Sequence, residues 1–443
     1  MKVCIIGTGY VGLVTGLGLA DLGHGVTCVD LDEERVARVN AGDPPFYEPG
    51  LPDLLRTHAG GRLRATTSVT DGISNADLTI IAVGTPFDGS QIALEQVSEA
   101  SRQIGAALAD IDRYHVVVVK STVVPGTTDT VVLPILEESS QKVAGTDFGV
   151  GMNPEFLREG NAVEDFMQPD RIVLGAIDQR SQDVMAELYA SVEGAEIVRT
   201  TTRTAEMIKY TANSLLATLI SFSNEIANLS SKVGVDAIEV MRGVHLDKRL
   251  TPMRENGSRI WPGIISYLIP GCGFGGSCFP KDVKSLIAFA EQNQAPMPLL
   301  KAVIDINESQ PAQMLQMLSR HVIDLDGVPV TVLGMAFKPG TDDIRESPAL
   351  VVTDELLDRG ADVTVFDPVA QRPVYEIYGD RLKYAETLED AVRDAEAILL
   401  MTAWHEFTRL PGLLGPRQHQ PVVVDGRRQL EHDTITTYEG IGR

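Results

Sequence analysis

The sequence predicts an α/β chain: two parallel-sheet domains joined by a long central helix and a helical middle domain. Three observations predict it. Short apolar, β-branched runs (Lys2–Gly7, Val26–Asp30, Leu78–Gly84, His115–Ser121) alternate with helix-length segments such as Tyr10–Leu22 and Leu94–Ala109, the pattern of a doubly wound sheet. From Thr204 to Lys232 the chain lacks Gly and Pro and reads as one helix, with Met207, Ile208, Leu215, Leu219 and Phe222 on an apolar stripe; helical character continues to about Arg320. Beyond it, the opening logic returns. GHGVTCVD at 23–30 is echoed by GADVTVFD at 360–367, and ADLTIIAV at 76–83 by AEAILLMT at 395–402. For 443 residues, at about 150 per domain, we expect segments 1–203, 204–320 and 321–443.

Charge excludes several function classes. With 38 Lys+Arg against 61 Asp+Glu, the net charge is −23, so nucleic-acid and membrane-surface binding are not expected. An anionic substrate needs a pocket that gathers the few cations. Four cysteines are too few for a disulfide scaffold; Cys4 and Cys28 read as packing, and Cys272 and Cys278 lack zinc spacing, so no metal is expected. The apolar first twenty residues resemble a leader, but Gly7, Gly9, Gly12, Gly16 and Gly18 interrupt them. A cytoplasmic location follows as the expectation.

Gly7-Thr8-Gly9-Tyr10-Val11-Gly12 follows a strand and opens a helix. The first glycine permits the turn, the second lets a pyrophosphate approach the backbone, and the third packs helix on strand. Asp30 closes the second strand where a carboxylate accepts from a ribose diol and repels a 2′-phosphate, favouring NAD over NADP. Cys278 sits in GGSCFPKD, where glycines allow close approach and a neighbouring lysine favours the thiolate; burial as a packing residue is an equal reading. Lys209 and Asn213, four apart, share a helix face, and alone they read equally as a solvated edge. Glu155 and Glu159 serve either acid/base chemistry or a helix start.

Together these stretches resemble the nucleotide-sugar 6-dehydrogenases, the family that includes UDP-glucose and GDP-mannose dehydrogenases. GTGYVG, VGTP at Val83, KSTVVPGT at Lys120, NPEFLREG at Asn153, EMIKYTAN at Glu206, GFGGSCFPKD at Gly273 and FKPGTDDIRESP at Phe337 occur in order over nearly the whole chain. The resemblance implies two Rossmann-like domains and oxidation of a sugar C6 alcohol to a carboxylate with two NAD. Cys278 is then the nucleophile, forming a thiohemiacetal and a thioester, and Lys209 stabilises oxyanions. Asn213 and Asp282 orient water or hydroxyl, Glu155 is the acid/base, and Thr122 positions water. The cofactor set is Gly7, Gly9, Tyr10, Val11, Gly12, Asp30, Arg35, Thr85, Thr122, Glu159, Lys281 and Arg345. The sugar-nucleotide set is Glu155, Phe156, Leu157, Arg158, Glu159, Lys209, Asn213, Arg249, Tyr267, Phe274, Gly275 and Lys338. Both outer domains serve one active site, and the helical middle implies a homodimer or larger even assembly.

The family commonly places an arginine from the partner subunit before the cysteine. Arg249 is the first choice, with Arg254 and Arg259 as alternatives, because the stretch from Leu250 to Pro270 is longer than usual and reads as a loop. Phe279 after the cysteine and Ser277 before it resemble the UDP-glucose enzymes, with GDP-mannose as the second choice. Two rivals predict different behaviour. A two-electron hydroxyacid dehydrogenase needs no Cys278 and yields one NADH, and a nucleotide-sugar sensor would lack the nucleophile or its lysine.

Overall fold

The computed structural model describes residues 1–443, which divide into two compact units, Met1–Ala212 and Asn213–Arg443. In the first, β1 (Lys2–Ile6), β2 (Gly25–Val29), β3 (Leu63–Thr66), β4 (Leu78–Ile81), β5 (His115–Val119), β6 (Phe148–Met152), β7 (Arg171–Ala176) and β8 (Glu196–Thr200) form one sheet in the order β3-β2-β1-β4-β5-β6-β7-β8. Every pairing is parallel except β6 with β7. Successive side chains of a strand point to opposite faces. Val3 and Ile5 therefore pack with Leu13 and Leu17 of the Tyr10–Asp21 helix, while Cys4 and Ile6 pack with Val97 and Ile104 of the Glu95–Leu108 helix. Helices on both faces explain why β4 and β5 are buried throughout, with the polar Thr79 and His115 bonded to each other at 2.8 Å.

In the second unit, β9 (Pro329–Leu333), β10 (Asp362–Phe366), β11 (Lys383–Tyr384), β12 (Ala397–Leu400), β13 (Val422–Asp425) and β14 (Tyr438–Gly440) form an all-parallel sheet, β11-β10-β9-β12-β13-β14. Read from its own first strand, this order matches the first six strands of the other sheet. Both are Rossmann-like. The two sequence echoes fall on equivalent strands, β2 with β10 and β4 with β12, and Gly23 and Gly360 before them both have positive φ.

The long helix runs Thr202–Val233, followed by helices Ala237–His245, Phe279–Gln292 and Pro298–Ser319. Its apolar stripe does not face the core throughout. Ile208 packs inward, but Met207, Leu215 and Phe222 are 40–52% exposed, and Leu229 and Val233 extend the outward row. The buried side carries small or polar groups instead: Ala217, Ser221, Asn224 and Ala227, with Ser221 Oγ donating to Val303 O at 2.8 Å. Small side chains let the backbone approach its neighbours closely. Residues 250–270 are mostly irregular, as expected, but include a 3₁₀ turn at Gly263–Leu268 and a bridge between Met253 and Arg259. No helix is long and apolar enough to cross a membrane.

Gly18 shows how tightly the first unit is packed. A Cβ there would lie 2.0 Å from the Phe166 ring. Alanine gains about 1 kcal/mol of helix propensity over glycine, but overpacking costs about 1–3 kcal/mol and here strikes an aromatic carbon. Gly18→Ala is expected to destabilise by about 1 kcal/mol net, seen as a lower urea midpoint. An unchanged or higher midpoint would mean that Phe166 turns aside at little cost.

Candidate functional site

Gly7, at φ +98°, turns the chain after β1; a Cβ there would sit 2.6 Å from Ala82 O, and one on Gly12 would sit 1.9 Å from Gly7 O. Both positions exclude any side chain because of the protein's own backbone. Gly9 differs. It caps the Tyr10–Asp21 helix with no side-chain bond, and a Cβ on it would meet nothing within 4 Å. First-turn amides and open space above Gly9 fit a phosphate. Asp30 Oδ2 accepts from Thr8 N (2.8 Å), Thr8 Oγ1 (2.6 Å) and Arg35 Nη1 (3.3 Å), while Oδ1 takes Asp32 N at 3.0 Å and keeps a lone pair for a hydroxyl. Burial raises the Asp30 carboxyl pKa, but these bonds outweigh it and hold the group below the usual carboxylate value. The donor set therefore fits an adenosine dinucleotide. Tyr10 donates its hydroxyl to Glu48, and Val11 is half-buried beside it.

Thr85 Oγ1 donates to Thr122 O at 2.8 Å, joining the loops after β4 and β5. Lys209 Nζ meets Glu155 Oε1 at 2.8 Å, both side chains being buried. Burial would raise the Glu155 carboxyl pKa, but the Lys209 charge and hydrogen bond, the Leu157 N–H (2.7 Å) and Lys120 bring it below the ordinary value. Phe156 lies under Arg171 (3.9 Å to the ring centre) and near Lys209 (5.5 Å). Arg158 is exposed and engages Asp165, whereas Glu159 is buried. Thus Thr85 joins Thr122, and Glu155 joins Lys209, as two separate contacts within the first unit.

In the second unit Asn213 Nδ2 donates to Asp282 Oδ2 at 2.6 Å, and Lys281 Nζ donates to Oδ1 at 2.5 Å. Lys281 is therefore engaged by the Asp282 carboxylate, three residues after Cys278. Cys278 caps the Phe279–Gln292 helix, with Pro280 in its first turn, and a helix N-terminus favours a thiolate. Ser277 Oγ lies 3.6 Å from its sulfur. The glycines before it also differ from expectation. A Cβ on Gly275 would lie 2.2 Å from Glu346 O, and one on Gly276 2.7 Å from the Phe337 ring, so their space admits the chain's own backbone and ring. Tyr267, Phe274 and Phe279 form an aromatic group, with centroids at 6.0–6.3 Å. Lys338 lies over Phe337, and Arg345 pairs with Asp343. Of the three arginines, Arg259 is used internally, donating to Leu246 O and Thr251; Arg254 is exposed, and Arg249 is 89% exposed beside Asp247.

Spacing did not single out Lys120, Glu48 or Glu206. Lys120 Nζ donates to Asn153 Oδ1 at 3.0 Å; burial lowers its pKa to about 8, with Glu155 opposing and Lys209 reinforcing that shift. Glu48 accepts from Gly160 N and Ala162 N, and Glu206 from Gly126 N and Thr128 N. Lys120, Asn153 and Glu206 stand inside the motif stretches, which is the one signal that could have found them.

Comparison with known proteins gives one consistent result. Residues 1–193, 203–309 and 331–432 match, respectively, the NAD binding, central and UDP binding domains of the UDP-glucose/GDP-mannose dehydrogenase family. The chain is 44% identical to the UDP-glucose 6-dehydrogenase AglM of Haloferax volcanii over 446 residues, and 38% identical to the GDP-mannose 6-dehydrogenase of Pseudomonas putida over 455 residues, covering 100% of each chain in both cases. A solved UDP-glucose dehydrogenase from Pyrobaculum islandicum is 40% identical, with a TM-score of 0.88, covering 100% of this chain and 97% of that one.

The Lys209–Glu155 pair makes a signed prediction. With its pKa depressed, Glu155 contributes stability that is present above its unfolded value, near pH 4.5, and lost as pH falls. Removing the ammonium leaves a buried carboxylate whose pKa rises, so the sign inverts. Lys209→Met is expected to cost about 3 kcal/mol at pH 7.5 and clearly less at pH 5, measured by urea unfolding. An equal loss at both pH values would show that the pair is not coupled.

Proposed function

This chain belongs to the UDP-glucose/GDP-mannose dehydrogenase family, nucleotide-sugar 6-dehydrogenases, and from that premise we propose that it oxidises UDP-glucose at C6 to UDP-glucuronate with two NAD per turnover. The observation that carries the chemistry is a cysteine at a helix N-terminus, four residues before an aspartate bonded to Asn213. The Haloferax and Pyrobaculum relatives support UDP-glucose, as does Phe279; the Pseudomonas putida relative favours GDP-mannose as the second reading. In domain terms, 1–203 binds NAD, 204–320 carries the nucleophile, and 321–443 binds the nucleotide sugar.

When bound, NAD would accept a hydride from the sugar in each of two oxidations. Cys278 Sγ adds to the C6 aldehyde left by the first, giving a thiohemiacetal whose carbon still bears a hydrogen. Loss of that hydride makes a thioester, and water then displaces the sulfur to release the carboxylate. Lys209 supplies fixed positive charge for the oxyanions. Glu155, held ionised, takes a proton from the water that Thr122 positions, while Asn213 and Asp282 orient the hydroxyl or water. Asp30 and Arg35 serve the cofactor ribose, and the amides around Gly9 its pyrophosphate.

The outward row of Met207, Leu215, Phe222, Leu229 and Val233, largely at heptad spacing, supports a homodimer built on the long helix. Arg249, exposed and bonded to its neighbour Asp247, suits a reach into a second copy.

Limiting UDP-glucose, run beside GDP-mannose, is expected to yield two NADH per sugar by absorbance, and Cys278→Ala to lose turnover by more than about a thousandfold. Two NADH from GDP-mannose alone would move the substrate, whereas one NADH per sugar with Cys278→Ala still active would refute the thioester route. For the dimer, Phe222→Glu is expected to sediment as a monomer at micromolar concentration. A dimer that survives this change together with Leu215→Glu would place the interface elsewhere.

A further inference from the structure

We propose that Glu206 is a positioning residue that locks the Thr122 loop to the helix bearing Lys209 and couples cofactor affinity to its own ionisation. The inference rests on the reading of Thr122 as a cofactor-side residue. Glu206 is fully buried and lies three residues before Lys209 on the Thr202–Val233 helix. Its Oε2 accepts from Gly126 N at 2.5 Å; its Oε1 accepts from Thr128 N at 2.8 Å and from Thr128 Oγ1 at 2.7 Å. Those donors close the loop that leaves β5 and carries Thr122, whose carbonyl in turn receives Thr85 Oγ1. One carboxylate thus fixes the loop between the two strand ends where the dinucleotide is read to lie.

The arrangement favours the ionised form. Three donors fill three of about four lone-pair sites, so a proton takes the remaining site on Oε2 and turns the charge-assisted bond from Gly126 N–H into a weaker one to a hydroxyl oxygen. Burial pushes the Glu206 pKa up to about 7; the Thr128 hydroxyl, Thr128 N–H and Gly126 N–H oppose that rise, and Asp129 adds to it. The nearby charges do not relieve it. Arg203 is paired with Asp129 at 3.0 Å, Thr202 Oγ1 also donates to Asp129 at 2.6 Å, and Lys209 is taken by Glu155. Protonation near neutrality therefore weakens the hold on Gly126 and loosens the loop. The signs are opposed. As pH rises from about 4.5 to 7 the buried charge lowers global stability, because the unfolded chain gives up its proton first. Over the upper part of that range the loop becomes ordered for binding.

NADH fluorescence titration of the full chain between pH 5.5 and 8.5 tests this. Wild-type affinity is expected to fall about three- to tenfold toward low pH with a midpoint near 7, as one charge-assisted bond weakens to a neutral one. Glu206→Gln should be weak and flat, since an amide turns an N–H toward one of the loop donors. Thr128→Val removes only the hydroxyl donor, so it should shift the midpoint upward, and it carries the test if Glu206→Gln does not fold. A merely structural role would weaken binding at every pH without moving the midpoint. A flat wild-type profile, a step retained in Glu206→Gln, or an unmoved midpoint in Thr128→Val would each overturn the inference while leaving the cofactor reading intact. NADH that fails to bind wild type at any pH would overturn both.

Discussion

Loops that leave the C-terminal ends of parallel strands carry amides with no ladder partner, and a buried amide without an acceptor costs about 1–3 kcal/mol. Both units meet this constraint with buried or nearly buried carboxylates. Asp30 takes the turn after β1, Glu48 takes Gly160 and Ala162, and Glu206 takes Gly126 and Thr128. In the other unit Asp367 takes Met335 and Ala336, and Asp425 takes Arg427 and Leu430. Each bond between an ionised acceptor and an amide is of the stronger kind, which offsets part of the cost of burying the charge. The loops that carry the proposed chemistry are thus held by these carboxylates, of which Asp30 keeps an acceptor position for a ligand.

The two sheets use one device for different ends. Asp30 and Asp367 end equivalent strands and brace equivalent turns. Asp367, however, receives five donors: Met335 N, Ala336 N, Val369 N, Ala370 N and Trp404 Nε1. A carboxylate offers about four lone-pair sites, so Asp367 is saturated and buried. Asp30 retains one acceptor position and a side chain 13% exposed. A repeated architecture can therefore place the same carboxylate where only one copy is available to a ribose. The difference lies in the flanking turn: GMAF after β9 closes over its aspartate with two amides and brings Trp404 to it, while GTGY after β1 leaves space over Gly9.

Local features were legible because they are written in adjacent residues. Strand and helix alternation, the glycine turn, the echo of the first sheet in the second, and the Lys209–Asn213 spacing all appear within windows of a few residues. The direction of the long helix was not legible. A period near 3.6 reveals an apolar row but not which side the small residues Ala217, Ser221 and Ala227 will press inward. Gly275 and Gly276 read as room for a ligand, yet Glu346 and Phe337, about seventy and sixty residues on, claim that room. Glu48 and Glu206 act on donors about eighty to more than one hundred residues away, and no spacing rule reaches that far.

The Lys209–Glu155 pair shows why such a residue persists. An apolar pair of similar volume is often as stable as a buried ion pair or more so, because desolvation of two charges consumes most of the Coulomb gain. Here a third ionisable group adds to the burden: Lys120 lies close enough for Lys209 to lower its pKa while Glu155 raises it. Two ammonium groups beside one carboxylate leave a net positive charge in a dry place, which folding alone does not reward. What it does favour is any oxyanion that forms nearby, since a preorganised charge needs no reorganisation at the moment of reaction. Stability and chemistry thus pull this cluster in opposite directions. Burial keeps the ammonium of Lys209 strong by excluding water, and Glu155 keeps it in place.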